Sequence, residues 1–128
     1  MALKNWKPDP KPVKREKKGK KATGELGLFL QLWQDRPHVS FLSGIPLDEF
    51  NVNMCSHILA KGQNKYPRFK LKPENIQFLT EMEHYLYDNG TMDSRARYKL
   101  ELMDMGYDCD WEKIWKLRDT LKEEYKKL

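Results

Sequence analysis

Residues 55–90 read CSHILAKGQNKYPRFKLKPENIQFLTEMEHYLYDNG, and this stretch decides the fold. A short apolar run ends near His57, and after a loop rich in Lys and Pro a second run, NIQFL, begins at Asn75. Short apolar runs bounded by Gly and Pro are typical of strands. Thr80, which ends the second run, forms with Glu83 the T-x-x-E capping box that begins a helix. The stretch therefore predicts strand, long loop, strand and capped helix.

Helical patterns flank this stretch on both sides. We predict an upstream helix over about 24–35, a short hairpin around Gly44, and two downstream helices over about 93–104 and 111–126, the last with Asp110 as its N-cap. Apolar residues recur at helical spacing: Leu26, Phe29, Leu30 and Trp33 in the first helix, and Trp111, Ile114, Trp115, Leu121 and Tyr125 in the last. The predicted class is α+β, with most residues helical.

Length and composition fit one domain with a modest core. The chain has 128 residues, of which 34% are charged. No apolar run reaches the roughly 18 residues that a membrane helix needs, and the start lacks an apolar stretch of signal-peptide length. We therefore expect a cytoplasmic protein with no membrane contact. Cys55 and Cys109 form neither a disulfide framework nor a CxxC metal motif.

Positive charge is concentrated at one end. Residues 1–21 hold nine basic residues and two acidic ones, a local charge of +7, so the remaining chain carries −2 of the overall +5. We predict a disordered basic arm over 1–23 and a folded domain over 24–128. Such an arm could be a solubilising tail, a nuclear localisation signal, or a polyelectrolyte that binds phosphate backbones without reading sequence.

Three polar positions of the strand–strand–helix pattern resemble those of the HNH nucleases. His57, Asn75 and His84 match, in order and in element, the His, Asn and His of that family's ββα-metal unit. ENIQFLTEMEH is similar to the family's usual xNLxxLCxxCH ending, and RPHVSFLSGIPL to the hairpin of small phage-type members. The resemblance implies a ββα-metal core over about 54–90, preceded by a helix and hairpin and followed by a helical extension over 91–128. It also implies a bacterial or phage-infected cell as the setting.

The resemblance also implies roles for these residues. His57 would be the general base, oriented by Asn75, and His84 a metal ligand; Asp88, one helical turn on, is the candidate second ligand. The cofactor would be one divalent ion, Mg or Mn first and Zn or Ni as alternatives. Many members carry a ligand at the position of Ser56, and many carry two CxxC pairs that this chain lacks. Each residue also fits an ordinary structural role, such as a half-buried strand His or a surface charge at a helix end.

The loop between the strands is basic. No acidic residue occurs from Asn51 to Pro73, whereas five basic residues fall within twelve positions: Lys61, Lys65, Arg68, Lys70 and Lys72. This charge predicts contacts with the phosphates of DNA, double-stranded first, with steep salt dependence and little base preference; the alternative is a solvated loop.

Together these observations predict a metal-dependent endonuclease that hydrolyses DNA phosphodiester bonds without a small-molecule cofactor. Two alternatives stay open. One is a catalytically inert DNA-binding protein of the same fold. The other is an interaction or virion accessory module whose last helix docks a protein partner.

Overall fold

The computed structural model describes residues 24–60 and 65–128. The predicted arm over 1–23 and Lys61 lie outside them. In chain order the elements are α1 (Glu25–Asp35), β1 (Cys55–His57), β2 (Ile76–Phe78), α2 (Glu81–Asn89), α3 (Met92–Asp104) and α4 (Trp111–Lys126). Of the described residues 57% are helical, which confirms the α+β class and the mostly helical content. Across these two ranges, none of the helices has the length and apolar character needed to span a membrane.

The sheet is a short antiparallel pair of strands that brings His57 and Asn75 close together. Cys55 lies opposite Phe78, and His57 lies opposite Ile76. Asn75, which we predicted to open the second strand, instead ends a 3-10 turn, Pro73–Asn75, one residue before β2. Pro73 favours this turn because its ring fixes φ in the helical range. Consequently the Asn75 side chain lies beside the end of the ladder.

The predicted hairpin around Gly44 is reduced to one bridge, between Val39 and Pro46. Two main-chain hydrogen bonds flank this bridge: the Ser40 N–H donates to the Ile45 carbonyl at 2.9 Å, and the Leu47 N–H donates to the His38 carbonyl at 2.8 Å. Gly44 adopts a φ of 77°, which a residue with a side chain rarely takes. Leu42 and Leu47 are buried and hold this segment to the domain.

The start of α2 is fixed by the capping box and by the carboxylate within it. The Thr80 hydroxyl accepts from the Glu83 N–H at 3.1 Å, and Glu83 accepts from the Thr80 N–H at 3.0 Å. The Glu83 carboxylate is fully buried and also accepts from the hydroxyls of Ser40, Ser43 and Tyr98. One side chain thereby joins the 40–43 turn, the N-terminus of α2 and the middle of α3.

Helix α1 packs on the sheet with a narrower face than predicted. Phe29 and Leu32 are buried against Met54, Cys55, Ile76 and Phe78. Leu26 and Leu30, which we expected on the apolar face, are 55% and 43% exposed. The strands are only three residues long, so the sheet covers a single stripe of the helix.

Helix α4 closes the other side of the domain. Its predicted apolar face is confirmed, since Trp111, Ile114 and Leu121 are buried and Trp115 and Tyr125 pack beside them. This face packs against Ile58 and Leu59 after β1, Leu79 after β2, Phe69 of the loop, and Leu86 and Tyr87 of α2. Burying an aliphatic side chain of this size contributes about 1.5–3 kcal/mol, so α4 anchors the segments that follow β1 and β2.

Candidate active site

His57 ends β1 with its imidazole held by the loop main chain. Its Nε2 lies 2.9 Å from the carbonyl oxygen of Lys70. A carbonyl can only accept, so Nε2 carries a proton and the lone pair of the neutral ring belongs to Nδ1. The ring meets Phe29 edge-on at 6.0 Å, and the side chain is 11% exposed. His57 is therefore a positioned imidazole with a defined tautomer.

Asn75 is fully buried and makes three hydrogen bonds to main-chain groups. Its Oδ1 accepts from the Leu59 N–H at 2.7 Å, and its Nδ2 donates to the carbonyls of Leu59 and Phe69, each at 3.1 Å. Leu59 follows His57 by two residues, and Phe69 precedes Lys70, whose carbonyl holds the imidazole. The amide thus joins the two main-chain segments that position the His57 ring.

His84 and Asp88 form a pair on one side of α2. The His84 Nε2 lies 3.2 Å from Asp88 Oδ2, and its Nδ1 lies 2.6 Å from the Asn53 carbonyl oxygen. That carbonyl requires a proton on Nδ1, so Nε2 faces the carboxylate. The hydrogen bond to Asp88 raises the pKa of His84, burial opposes the rise, and the Asn53 carbonyl adds to it. The pairing with Asp88 therefore favours the protonated form of the His84 imidazole.

One cleft brings these groups together. Its volume is about 730 Å³, and its wall includes His57, His84 and Asp88. The apolar part of the wall is formed by Phe29, Val52, Cys55 and Ala60. An imidazole from the sheet and an imidazole–carboxylate pair from the helix thus share one concave surface.

The donor set fits one hard divalent ion only in part. Two ligands of the same ion lie roughly 3.0–3.4 Å apart, which matches the 3.2 Å between His84 and Asp88. Within 24–60 and 65–128, no group of three or more His, Cys, Asp or Glu residues could hold a metal. Ser56 is fully buried, and burial raises the pKa of the Cys55 thiol to about 12, so neither supplies a third ligand. Water and phosphate oxygens would have to complete the shell, as they commonly do for Mg²⁺.

The basic side chains of the loop differ in how far they are exposed and in whether a carboxylate neutralises them. Lys65 and Arg68 are exposed, whereas Lys70 is half-buried. Lys72 lies 3.6 Å from each of two carboxylates, those of Glu74 and Glu124, and its charge is partly neutralised. The loop aromatics Tyr66 and Phe69 pack edge-on against Tyr125 of α4 and so belong to the core.

Sequence reasoning missed Glu25 as a member of the site. Its carboxylate Oε2 lies 3.6 Å from His57 Nε2, and its side chain is 16% exposed. No spacing rule connects the first turn of α1 with the end of β1, so no sequence signal could have found this contact. His38, the remaining histidine, stacks on Trp33 at 3.5 Å and bonds its carbonyl, which is a structural arrangement.

The fold and the cleft define a class of protein: a small α+β domain with a histidine on a sheet facing a histidine–aspartate pair on a helix. The chain matches no protein-family model, no curated protein and no solved structure.

Proposed function

We propose that this protein is a metal-dependent endonuclease of the HNH type that hydrolyses phosphodiester bonds of DNA. The observation that carries the proposal is the shared cleft of His57, His84 and Asp88. The buried amide of Asn75, which holds both main-chain segments around His57, supports it. In this proposal β1, β2 and α2 correspond to the ββα-metal core.

Each side chain then has a chemical task. His57 takes the proton from the attacking water through Nδ1, while the Lys70 carbonyl keeps the ring in the required tautomer. His84 and Asp88 would hold the divalent ion, and the Asn53 carbonyl fixes the orientation of His84. When bound, the ion supplies positive charge to the phosphoryl oxygens and to the departing 3′ oxygen.

The charges outside the cleft support a polyanionic substrate. Lys65 and Arg68 project from the loop that also carries the carbonyl contact to His57. Phosphate contacts from such a loop bind any sequence and weaken as salt rises. The nine basic residues of 1–21 add to the same attraction. Double-stranded DNA is the substrate that we propose.

The second candidate is a catalytically inert DNA-binding protein of the same fold. The observation that favours it is the small donor set of the described residues, because Ser56, the position at which many HNH members carry a ligand, is fully buried and does not line the cleft. Calorimetry with Mn²⁺ separates the two functions, because an inert site would bind the ion weakly. The interaction-module alternative has less in its favour, since packing within the domain explains the amphipathic pattern of α4.

The proposal is tested by incubating supercoiled plasmid with the full chain and Mg²⁺, Mn²⁺, Ni²⁺ or Zn²⁺. We expect nicking with at least one ion and its loss with EDTA. Retarded but uncut plasmid under every condition would reject the nuclease and favour the inert candidate. An unretarded and uncut plasmid at low salt would reject both.

A further inference from the structure

Resting on the proposed function, we propose that Glu25 is a positioning residue that holds the His57 ring and stabilises its protonated form. The pair joins the first turn of α1 to the end of β1, with 3.6 Å between Glu25 Oε2 and His57 Nε2. Glu25 does not face the nitrogen that would accept the proton from water. It acts on the reaction only through His57.

The Nε2–H group of His57 donates a hydrogen bond to the loop and also lies within ion-pair distance of α1. The Lys70 carbonyl accepts from it at 2.9 Å, and the Glu25 carboxylate lies on the same nitrogen at longer range. Both side chains of the pair are less than one-fifth exposed, at 11% for His57 and 16% for Glu25. An ion pair in such a site is screened much less than one at the surface. The carboxylate therefore affects the imidazole more than an exposed acid would.

The consequence is a change in base strength. When His57 takes a proton it becomes an imidazolium, and a neighbouring carboxylate lowers the free energy of that cation. The carbonyl alone fixes the tautomer but supplies no full charge. Glu25 adds that charge, so His57 is a stronger base than the same ring held by the carbonyl alone. The same effect moves its protonation midpoint to higher pH.

Among the residues that the structure describes, the other titratable groups around the imidazole supply no second carboxylate to it. Across the cleft, His84 and Asp88 form their own pair. On β1 the Cys55 thiol is neutral because burial raises its pKa. The loop contacts the ring through the neutral Lys70 carbonyl, and the facing residue of β2, Ile76, is apolar. Glu25 is thus the carboxylate that contacts His57 among the described residues.

The test is the protonation midpoint of His57, measured by NMR in the metal-free full chain. The chain has three histidines, so a His57→Ala spectrum assigns the signal. Glu25→Gln keeps the size of the side chain and removes its charge. Glu112→Gln is the matched control, because Glu112 is an exposed acid in the first turn of α4. Glu25→Asp retains a carboxylate with a shorter reach.

We expect Glu25→Gln to lower the midpoint by roughly one pH unit, Glu25→Asp to lower it less, and Glu112→Gln to leave it unchanged. A midpoint in Glu25→Gln that equals the wild-type value would overturn the inference, whether or not the protein cleaves DNA. In cleavage assays, Glu25→Gln should lower the plateau rate and move the acid limb of the pH profile to lower pH. Absence of cleavage by the wild type would instead reject the nuclease, and with it the catalytic meaning of the pair.

Discussion

Replacement of Asn75 by Ala should destabilise the protein far more than an ordinary polar substitution. The side chain has no exposed surface and makes three hydrogen bonds, all to main-chain groups of Leu59 and Phe69. Ala would leave one buried N–H group and two buried carbonyls without these partners. With about 1–1.5 kcal/mol for each lost bond, the expected loss is about 3–5 kcal/mol. This is a large share of the stability of a small domain.

Urea unfolding followed by tryptophan fluorescence measures the effect. Asn89→Ala is the matched control, since Asn89 is exposed at the end of α2 and its loss should cost less than about 0.5 kcal/mol. Asn75→Asp sharpens the test, because a carboxylate can accept from Leu59 but cannot donate to the two carbonyls. A loss below about 1 kcal/mol for Asn75→Ala would refute the reasoning.

Three further predictions concern other parts of the molecule. Glu83→Ala removes a buried carboxylate that accepts from three hydroxyls and one N–H group. We expect it to lower the free energy of unfolding by about 3–5 kcal/mol in the same assay. A change near zero would contradict the network around Glu83. Because the pKa of His84 is raised by its pairing with Asp88, that pairing stabilises the metal-free protein fully below about pH 6.5, and this contribution is lost as pH rises through the raised pKa. The melting temperature should therefore fall over that window, the fall should be smaller in Asp88→Asn, and an identical profile would contradict the pairing. In gel-shift titrations, Arg68→Ala should weaken DNA binding and reduce the slope of log K against log salt concentration by about one. Lys72→Ala should reduce affinity and slope less, because two carboxylates partly neutralise the Lys72 charge. Equal effects of the two substitutions would contradict this account of the loop.

Local signals predicted the elements of the fold well because each depends on residues close in the chain. The T-x-x-E box places Thr80 at the N-cap of α2, and Asp110 caps α4, both as expected. The apolar face of α4 was predicted correctly because its helical spacing persists over four turns. In α1 the pattern allowed several faces, and the tertiary contact with a three-residue strand pair selected Phe29 and Leu32.

Of the candidate site, the sequence predicted only the side chains that belong to a recognisable motif. His57, Asn75 and His84 were predicted from the HNH resemblance and Asp88 from its helical spacing, and the structure brings the two histidines and the aspartate to one cleft. The partners of these residues were not predictable. The carbonyls of Lys70 and Asn53 carry no side-chain identity, and Glu25 reaches His57 through the packing of α1 on the sheet. Such contacts depend on tertiary geometry, which a single sequence does not display.

We propose that His57 acts as the general base of a metal-dependent nuclease. The most direct test is the single-turnover rate of plasmid nicking by wild type, His57→Ala and His38→Ala, with the best metal ion and with equal DNA binding verified by gel shift. We predict a loss of about 10²–10⁴-fold for His57→Ala and little change for His38→Ala. Nicking by folded His57→Ala at the wild-type rate would contradict the account.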